Sequence, residues 1–359
     1  MNRDELIDAV QHGETIRGQS FDGLDLSGVD LSGGVFEDVG FERARLDRAC
    51  LIESVFVSCR FADASIAEAD MKLVRMDECD LSDALLRRSR LVAAVLNRST
   101  LDRIDASETD LKETTITRSS VAGASFAGAR TANAVFLESS TVGMDLSRCH
   151  LYQTTLYGAD LRTARFDEAR FEMTILIGCN LAGVSFKGRT LVHTQLMDAD
   201  LRGCDFTRAV VSGCNFKGAN LEEACFEHAD AGRAMFVEAR LARARFERAK
   251  LDQALFVDSD LRLACFDRAE MRQAQLQRAL CESASFEGAE LLEADLSHAD
   301  LRSASFVGAS MYRARLHEVR DEGTRFGTNR AVTLSTDPDL ARAERFSPPP
   351  AGDPQGGTP

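Results

Sequence analysis

Nearly every fifth residue from Phe21 to Leu316 is apolar. Phe21, Leu26, Leu31, Phe36, Phe41, Leu46, Leu51, Phe56 and Phe61 open a series of 60 positions in which only Thr131 and Thr141 are plainly polar, although 44% of the chain is hydrophobic. The residue two places earlier is nearly always small, as at Ala44, Ala49, Ala64 and Ala69, and then in an almost unbroken run from Ala219 to Ala314. Between the two stands, often, Asp or Asn: Asp25, Asp80, Asp110, Asp160, Asn180, Asn215 and Asn220. A period of five fits neither the alternation of a strand nor the 3.6-residue turn of a helix. It predicts a coil with flat sides, each side sending one large and one small residue into a narrow interior.

The column Phe166, Phe186, Phe206, Phe226, Phe246, Phe266, Phe286, Phe306 and Phe326, spaced by 20, points to four sides per turn. The column read as facing it is Leu151, Phe171, Leu191, Val211, Ala231, Leu251, Met271 and Leu291, smaller groups set against large rings as close packing requires. The beat predicts about 15 coils and, at an inter-strand spacing of about 4.8 Å, a rod of roughly 70–75 Å.

The triplets Ala159-Asp160-Leu161, Cys179-Asn180-Leu181, Ala199-Asp200-Leu201, Ala219-Asn220-Leu221 and Ala299-Asp300-Leu301 resemble those of the pentapeptide repeat proteins. That resemblance implies an all-β solenoid, a right-handed quadrilateral β-helix, over residues 19–328. Residues 1–18 are expected to form a helical cap and lead-in, since Asn2 and Glu5 make a capping box before Leu6, Ile7, Ala9 and Val10, and Gly13 can end the helix. Gly18, Gly23, Gly28, Gly33 and Gly34 are read as tight corners. Residues 329–346, with Asp337 before Pro338, are expected to be a C-terminal lid or dimerisation segment, and the Pro- and Gly-rich residues 347–359 a disordered tail.

Four positions break the rule. Ala106 is small in a large site, and Thr131 and Thr141 are polar ones. Arg189 stands in a small inward site, so that its side chain turns outward or the backbone bulges. With the hydroxyls around them, the first three make residues 99–143 the expected weak part of the rod, with a bend or narrowed waist.

Formal charge is −14, which argues against direct binding to nucleic acid. Residues 1–80 carry 18 acidic and 8 basic side chains, a net −10, whereas the C-terminal half nets −4. Two candidate interaction surfaces follow: the acidic coils with Glu37, Asp38, Glu42, Asp47, Glu53, Asp63, Glu68, Asp70 and Asp77, and a basic strip with Arg240, Arg243, Arg245, Arg248 and Lys250. Of the ten cysteines, Cys59, Cys79, Cys149, Cys179, Cys204 and Cys214 fall in the small inward site and Cys281 in the large one, where free thiols act as apolar filler. An incidental bridge between Cys59 and Cys79, one coil apart, stays open. Free cysteines and the lack of a signal peptide or membrane span predict a cytoplasmic protein.

A solid rod offers no cleft for catalysis, so neither enzyme activity nor a cofactor is expected. The six histidines do not cluster by spacing, His193, His228 and His298 are predicted to point outward, and no metal is expected. Gly123-Ala124-Ser125-Phe126-Ala127-Gly128 belongs to the beat and not to a phosphate-binding loop. The expected function is a scaffold or adaptor for a protein partner, with a homodimer through a terminal cap as a further expectation. The lead-in Gly13-Glu14-Thr15-Ile16-Arg17-Gly18 also resembles that of family members associated with bacterial type VI secretion, which implies handling of an effector. The alternative that the family resemblance implies is DNA mimicry, in which an acidic rod occupies the DNA site of gyrase or topoisomerase IV.

Overall fold

Each five-residue beat gives four of its five backbone N–H groups a main-chain partner, and this is why the sequence winds as it does. In the computed structural model, which describes residues 1–346, the large residue donates to the coil above, as Phe21 N does to Gly40 O at 2.7 Å. The third residue does the same (Gly23 N to Glu42 O, 2.8 Å), the fourth folds back three residues (Leu24 N to Phe21 O, 3.1 Å), and the fifth donates to the coil below (Arg45 N to Leu24 O, 2.9 Å). The second N–H is left over, and the Asp or Asn two residues before it supplies the acceptor. Asp25 accepts from Ser27 N at 3.0 Å, Asp80 from Ser82 N at 2.9 Å, Asp160 from Arg162 N at 3.3 Å and Asn220 from Glu222 N at 3.2 Å. The acidic beat therefore supports the turn locally, although the same turn also forms after Met235, Leu255 and Leu280.

On some rungs where another residue, most often Val or Thr, replaces Asp at that position, the segment forms a strand instead. This happens on the face led by Phe36, where β1 (Thr15–Arg17), β2 (Val35–Glu37), β3 (Val55–Val57), β4 (Arg75–Asp77), β5 (Val95–Asn97), β6 (Thr115–Thr117) and β7 (Val135–Leu137) pair in parallel. A short strand, β8 (His150–Tyr152), then intervenes before β9 (Thr155–Tyr157) completes the eight-stranded sheet. On the Leu31 face β8 pairs with β10 (Arg170–Glu172), and β10 with β11 (Leu191–Val192). Each strand pairs with the segment one full coil later in the chain, as in Phe36↔Phe56 and Phe171↔Leu191. Paired strands fall short of the expected count of about 15 coils, occupying eight rungs of one face and three of another, and the other rungs meet through single-residue bridges.

The third residue of each beat is left-handed. From Gly18 to Gly323 every such position has positive φ except Thr163. A β-branched residue is the worst fit for that conformation. Gly18, Gly23, Gly28 and Gly33 are corners of this kind, but Gly34 is not: it fills the small inward slot, where a Cβ would lie 2.6 Å from the Phe36 ring.

The phenylalanine column stacks face to face, with centroids 4.6 Å apart for Phe206 and Phe226 and 4.8 Å for Phe246 and Phe266. The column expected to face it, running from Leu151 to Leu291, lies on an adjacent side. Two beats along the chain, on the opposite side, stand Phe216, Phe236 and Phe256, whose rings meet the stack edge-on, as Phe236 does Phe226 at 5.7 Å and 88°. Such pairs add about 0.5–1.5 kcal/mol each beyond burial.

The expected weak region is displaced. Residues 99–137 keep their ladder, because Ser99, Ser119 and Ser139 accept from the N–H groups of Cys79, Ser99 and Ser119 at 3.0–3.2 Å. Ala106 is compensated by the bulkier Ile104 in the neighbouring small site, both buried. Thr131 and Thr141 are buried, and their hydroxyls donate to His150 O (3.1 Å) and Asp160 O (2.9 Å), the carbonyls that a backbone N–H takes elsewhere. The lapses fall around residues 160–169. No bridge joins Ser140 to Asp160 or Arg165 to Ser185, and Gly143 N turns to the hydroxyl of Thr163 at 2.9 Å. Arg189 explains the second lapse. Its backbone keeps the regular bond to Phe186 O (3.0 Å), so there is no bulge, and its guanidinium turns out to Asp167 at 3.7 Å. Beside it Phe166 and Phe186 stand 6.3 Å apart and tilted by 31°.

Both ends carry helices. In α1 (Arg3–Gln11) Asn2 accepts from Asp4 N and Glu5 N at 3.0 Å, Glu5 accepts in turn from Asn2 N at 2.9 Å, and Leu6, Ala9 and Val10 are buried. At the far end the coil continues past Asp321, for Phe306 N bonds Arg325 O at 2.8 Å and Leu334 rejoins the ladder beside Arg315. Helix α2 (Pro338–Glu344) starts on Asp337, which accepts from Asp339 N (2.9 Å) and Leu340 N (3.2 Å). Glu344 anchors it, accepting from buried His317 Nε2 at 3.1 Å with His298 Nε2 at 3.4 Å. The disordered-tail expectation for 347–359 lies outside the described residues.

Three measurements test this architecture. Leu73, exposed and left-handed at φ 58, should gain about 1 kcal/mol as Leu73→Asn, seen as a higher thermal midpoint. All ten cysteines are free, and burial pushes the thiols of Cys149, Cys179, Cys204 and Cys214 up to about 12. Iodoacetamide should therefore modify only the half-buried Cys50, Cys225 and Cys265 in the native protein and all ten after denaturation, as counted by mass spectrometry. The Glu344 carboxyl is held below its usual range by the His317 hydrogen bond and by His298. A lowered carboxyl stabilises the folded form above its ordinary value of about 4.3 and stops doing so as pH falls through the lowered one. Exchange protection of Pro338–Glu344, corrected for intrinsic rates, should fall below about pH 4 and lose this dependence in Glu344→Gln.

Candidate interaction faces

The acidic residues picked out in the first coils are distributed over all four sides of the rod, because four beats to the coil send neighbours in sequence to different faces. Glu37, Asp38 and Asp77 lie on the Phe36 side, Glu42 and Asp63 on the Phe21 side, Asp47 and Glu68 on the Leu26 side, and Glu53 and Asp70 on the Leu31 side. Most are matched by a cation on an adjoining coil. Glu37 pairs with Arg17 at 2.7 Å, Asp38 with Arg60 at 2.9 Å, Glu42 with Arg60 at 3.5 Å, and Glu68 with Arg48 at 2.9 Å. Asp70 pairs with Arg90 at 3.2 Å, and Asp77 with Arg98 at 2.5 Å. The Arg98 guanidinium holds the Asp77 carboxyl below the usual range. Asp47 instead accepts from Ala67 N at 3.1 Å, while Glu53 and Asp63 occupy left-handed corners. These acids are a ladder of alternating sign and not an anionic surface. Exposed pairs of this kind contribute about 0–1 kcal/mol each, so their effect is on local potential more than on stability.

The basic strip is likewise a belt running around the rod. Arg243 pairs with Glu223 at 3.5 Å, and Arg245 with Glu247 at 3.1 Å and Glu227 at 3.5 Å. Arg240, Arg248 and Lys250 are exposed, with no carboxylate within 4.0 Å among the described residues. Inspection of residues one stack apart would have revealed the pairing: opposite charges recur at a separation of one coil in Asp83–Arg103, Arg88–Glu108, Arg118–Glu138 and Asp258–Arg278.

His193, His228 and His298 are exposed, at left-handed corners. Spacing hid one grouping, however. His298, His317 and Glu344 present donor atoms within 4.8 Å of one another, because the two histidines lie almost one coil apart and α2 folds back over them. As bonded here the group is committed to the helix. His317 Nδ1 accepts from Asp337 N at 3.1 Å, which leaves the proton on Nε2 and directs it to Glu344. A metal at Nε2 would have to displace both contacts.

Hollows along the rod are grooves between side-chain ladders, such as one of about 500 Å³ lined by Gln253, Gln273, Glu293, Arg313 and Arg315. There Arg233, Gln253, Gln273 and Glu293 form a relay of side-chain bonds, each 3.1 Å. No helix of the described residues is long and apolar enough to cross a membrane.

Among solved structures, similarity is found to HetL, a pentapeptide repeat protein involved in heterocyst differentiation regulation in the cyanobacterium Nostoc sp. strain PCC 7120. It is 21% identical, covering 74% of this chain and 96% of that one, with a TM-score of 0.24. Full-length QnrB1, a plasmid-mediated fluoroquinolone resistance protein, is 15% identical over 58% of this chain and 93% of its own, with a TM-score of 0.26. Scores this low carry no argument about function. No curated protein is similar enough to count as a relative. The type VI resemblance of the lead-in gains no support from these comparisons. The family profile for pentapeptide repeats (8 copies) matches residues 75–112, 145–183, 194–230, 239–278 and 279–317, more than half of the sequence, and the chain belongs to the pentapeptide repeat family.

Proposed function

We propose that this protein is a non-catalytic scaffold or adaptor that binds a protein partner along its outside. The observation that carries this reading is the nearly continuous apolar core from Ile16 to Leu316, which fills the interior and leaves the charged groups outside. Catalysis draws on groups gathered in a water-shielded cleft. Here the polar groups form ladders along flat sides, an arrangement suited to a broad contact. Handling of a secreted effector is the narrower form of the reading and differs only in the partner.

A second reading is protection of gyrase or topoisomerase IV by DNA mimicry, favoured by the net −10 of residues 1–80. The pairing of Glu37, Asp38, Glu42, Glu68, Asp70 and Asp77 with arginines lowers the negative potential such a mimic relies on. One pair of measurements separates the two. The scaffold should co-purify stoichiometrically with a protein from its native cell and leave gyrase supercoiling unchanged at micromolar concentration. Inhibition of supercoiling that weakens in Asp38→Asn/Glu42→Gln would put the mimic first.

A further inference from the structure

Two outward columns on one side of this heavily charged rod are almost without charge, whereas the corner column at their edge carries Arg118, Glu138, Asp198, Glu238, Asp258 and Arg278. On the Phe36 side the outward residues flank the inward one, as Val135 and Leu137 flank Phe136. From Thr115 to Gln277 these two columns hold eighteen residues, of which only Lys217 is charged. Apolar groups recur along them: Leu137, Tyr157, Ile175, Ile177, Met197, Met235, Val237, Leu255 and Val257. The corresponding columns of the opposite side, from Asp105 to Asp267, also hold eighteen residues, and ten of them are charged. The ladder lapses near residues 160–169 fall on other sides. Along this one, bridges run without a break from Thr155 through Ile175, Gln195, Asn215, Met235 and Leu255 to Gln275.

We infer that this face is the interface between two copies of the chain lying side by side. Three arguments select a second copy. A row of about nine coils at about 4.8 Å is about 43 Å long, and with a width of about 15 Å it would bury about 650 Å² per copy, or about 1,300 Å² in all, within the range of specific interfaces. A face with the same rung spacing matches it coil for coil, so that outward residues of the two sheets interdigitate about 10 Å apart. Finally, an interface whose middle is uncharged and whose edge charges are largely paired, as Arg118 with Glu138, Lys217 with Glu238 and Arg278 with Asp258, has little by which to steer or select a differently charged partner. Tyr157, 53% exposed, stands within the patch and would be covered.

The test is the mass of the full chain in solution, by light scattering and sedimentation at about 50 µM. The expected value is twice 39.3 kDa. Ile177→Lys/Met197→Lys should reduce it to 39.3 kDa, while Thr207→Lys on the opposite side and deletion of residues 333–359 should leave the dimer intact. Should the double variant melt early, Ile177→Thr keeps a β-branched residue in the ladder and is expected to raise the dimer dissociation constant tenfold or more. A monomeric wild type, a dimer indifferent to all Ile177 variants, or a monomer produced by the C-terminal deletion overturns the proposal. None of these results touches the scaffold reading, which rests on capture of a different protein.

Discussion

The constraint on which this structure depends is that the backbone N–H groups find acceptors within a five-residue period. Four of the five obtain one from the main chain, three across coils and one by folding back. The fifth takes a side-chain acceptor or enters a strand in some beats, and in others, such as those of Leu241 and Phe256, it has no acceptor in the protein. Asp and Asn at the position before the large residue supply that acceptor locally, and where Val or Thr stands there the segment on some rungs pairs as a strand. The acidic composition of the rod is thus in part a consequence of turn chemistry, which weakens any inference from net charge to partner.

Packing then follows from the winding. Once four beats close a coil, each inward column stacks upon itself, and phenylalanines recurring at that pitch meet face to face at 4.6–5.1 Å along most of the column. Departures are absorbed in kind. A serine column replaces missing acceptors, Ile104 fills the space left by Ala106, and a threonine hydroxyl takes over a carbonyl bond. Where substitution also violates the backbone requirement, as Thr163 does at a left-handed corner, the ladder opens. The opening beside Arg189 has a different origin, a cation whose side chain leaves an apolar slot and turns out to Asp167.

Function resides in what the winding leaves outside. Alternating charges on stacked coils neutralise much of the acidic end, and the basic belt is distributed around the circumference. The side that stands apart is the one whose two middle columns hold a single charge between Thr115 and Gln277. The His298, His317 and Glu344 group shows the same effect at smaller scale, with residues distant in sequence becoming neighbours because one coil and one returning helix superimpose them.

The sequence by itself determined the five-residue beat, the inward and outward sorting, the apolar role of the cysteines and the helix caps at Asn2 and Asp337. All of these are local, depending on residues a few places apart or on simple periodicity. Only the tertiary structure decided which columns face one another, where the ladder fails and which charges are paired. Those properties depend on contacts between residues half a coil or more apart in sequence, whose side-chain directions are set by corners. Phe226 meeting Phe236 edge-on, and Arg60 reaching Asp38, are legible only after the coil has closed on itself.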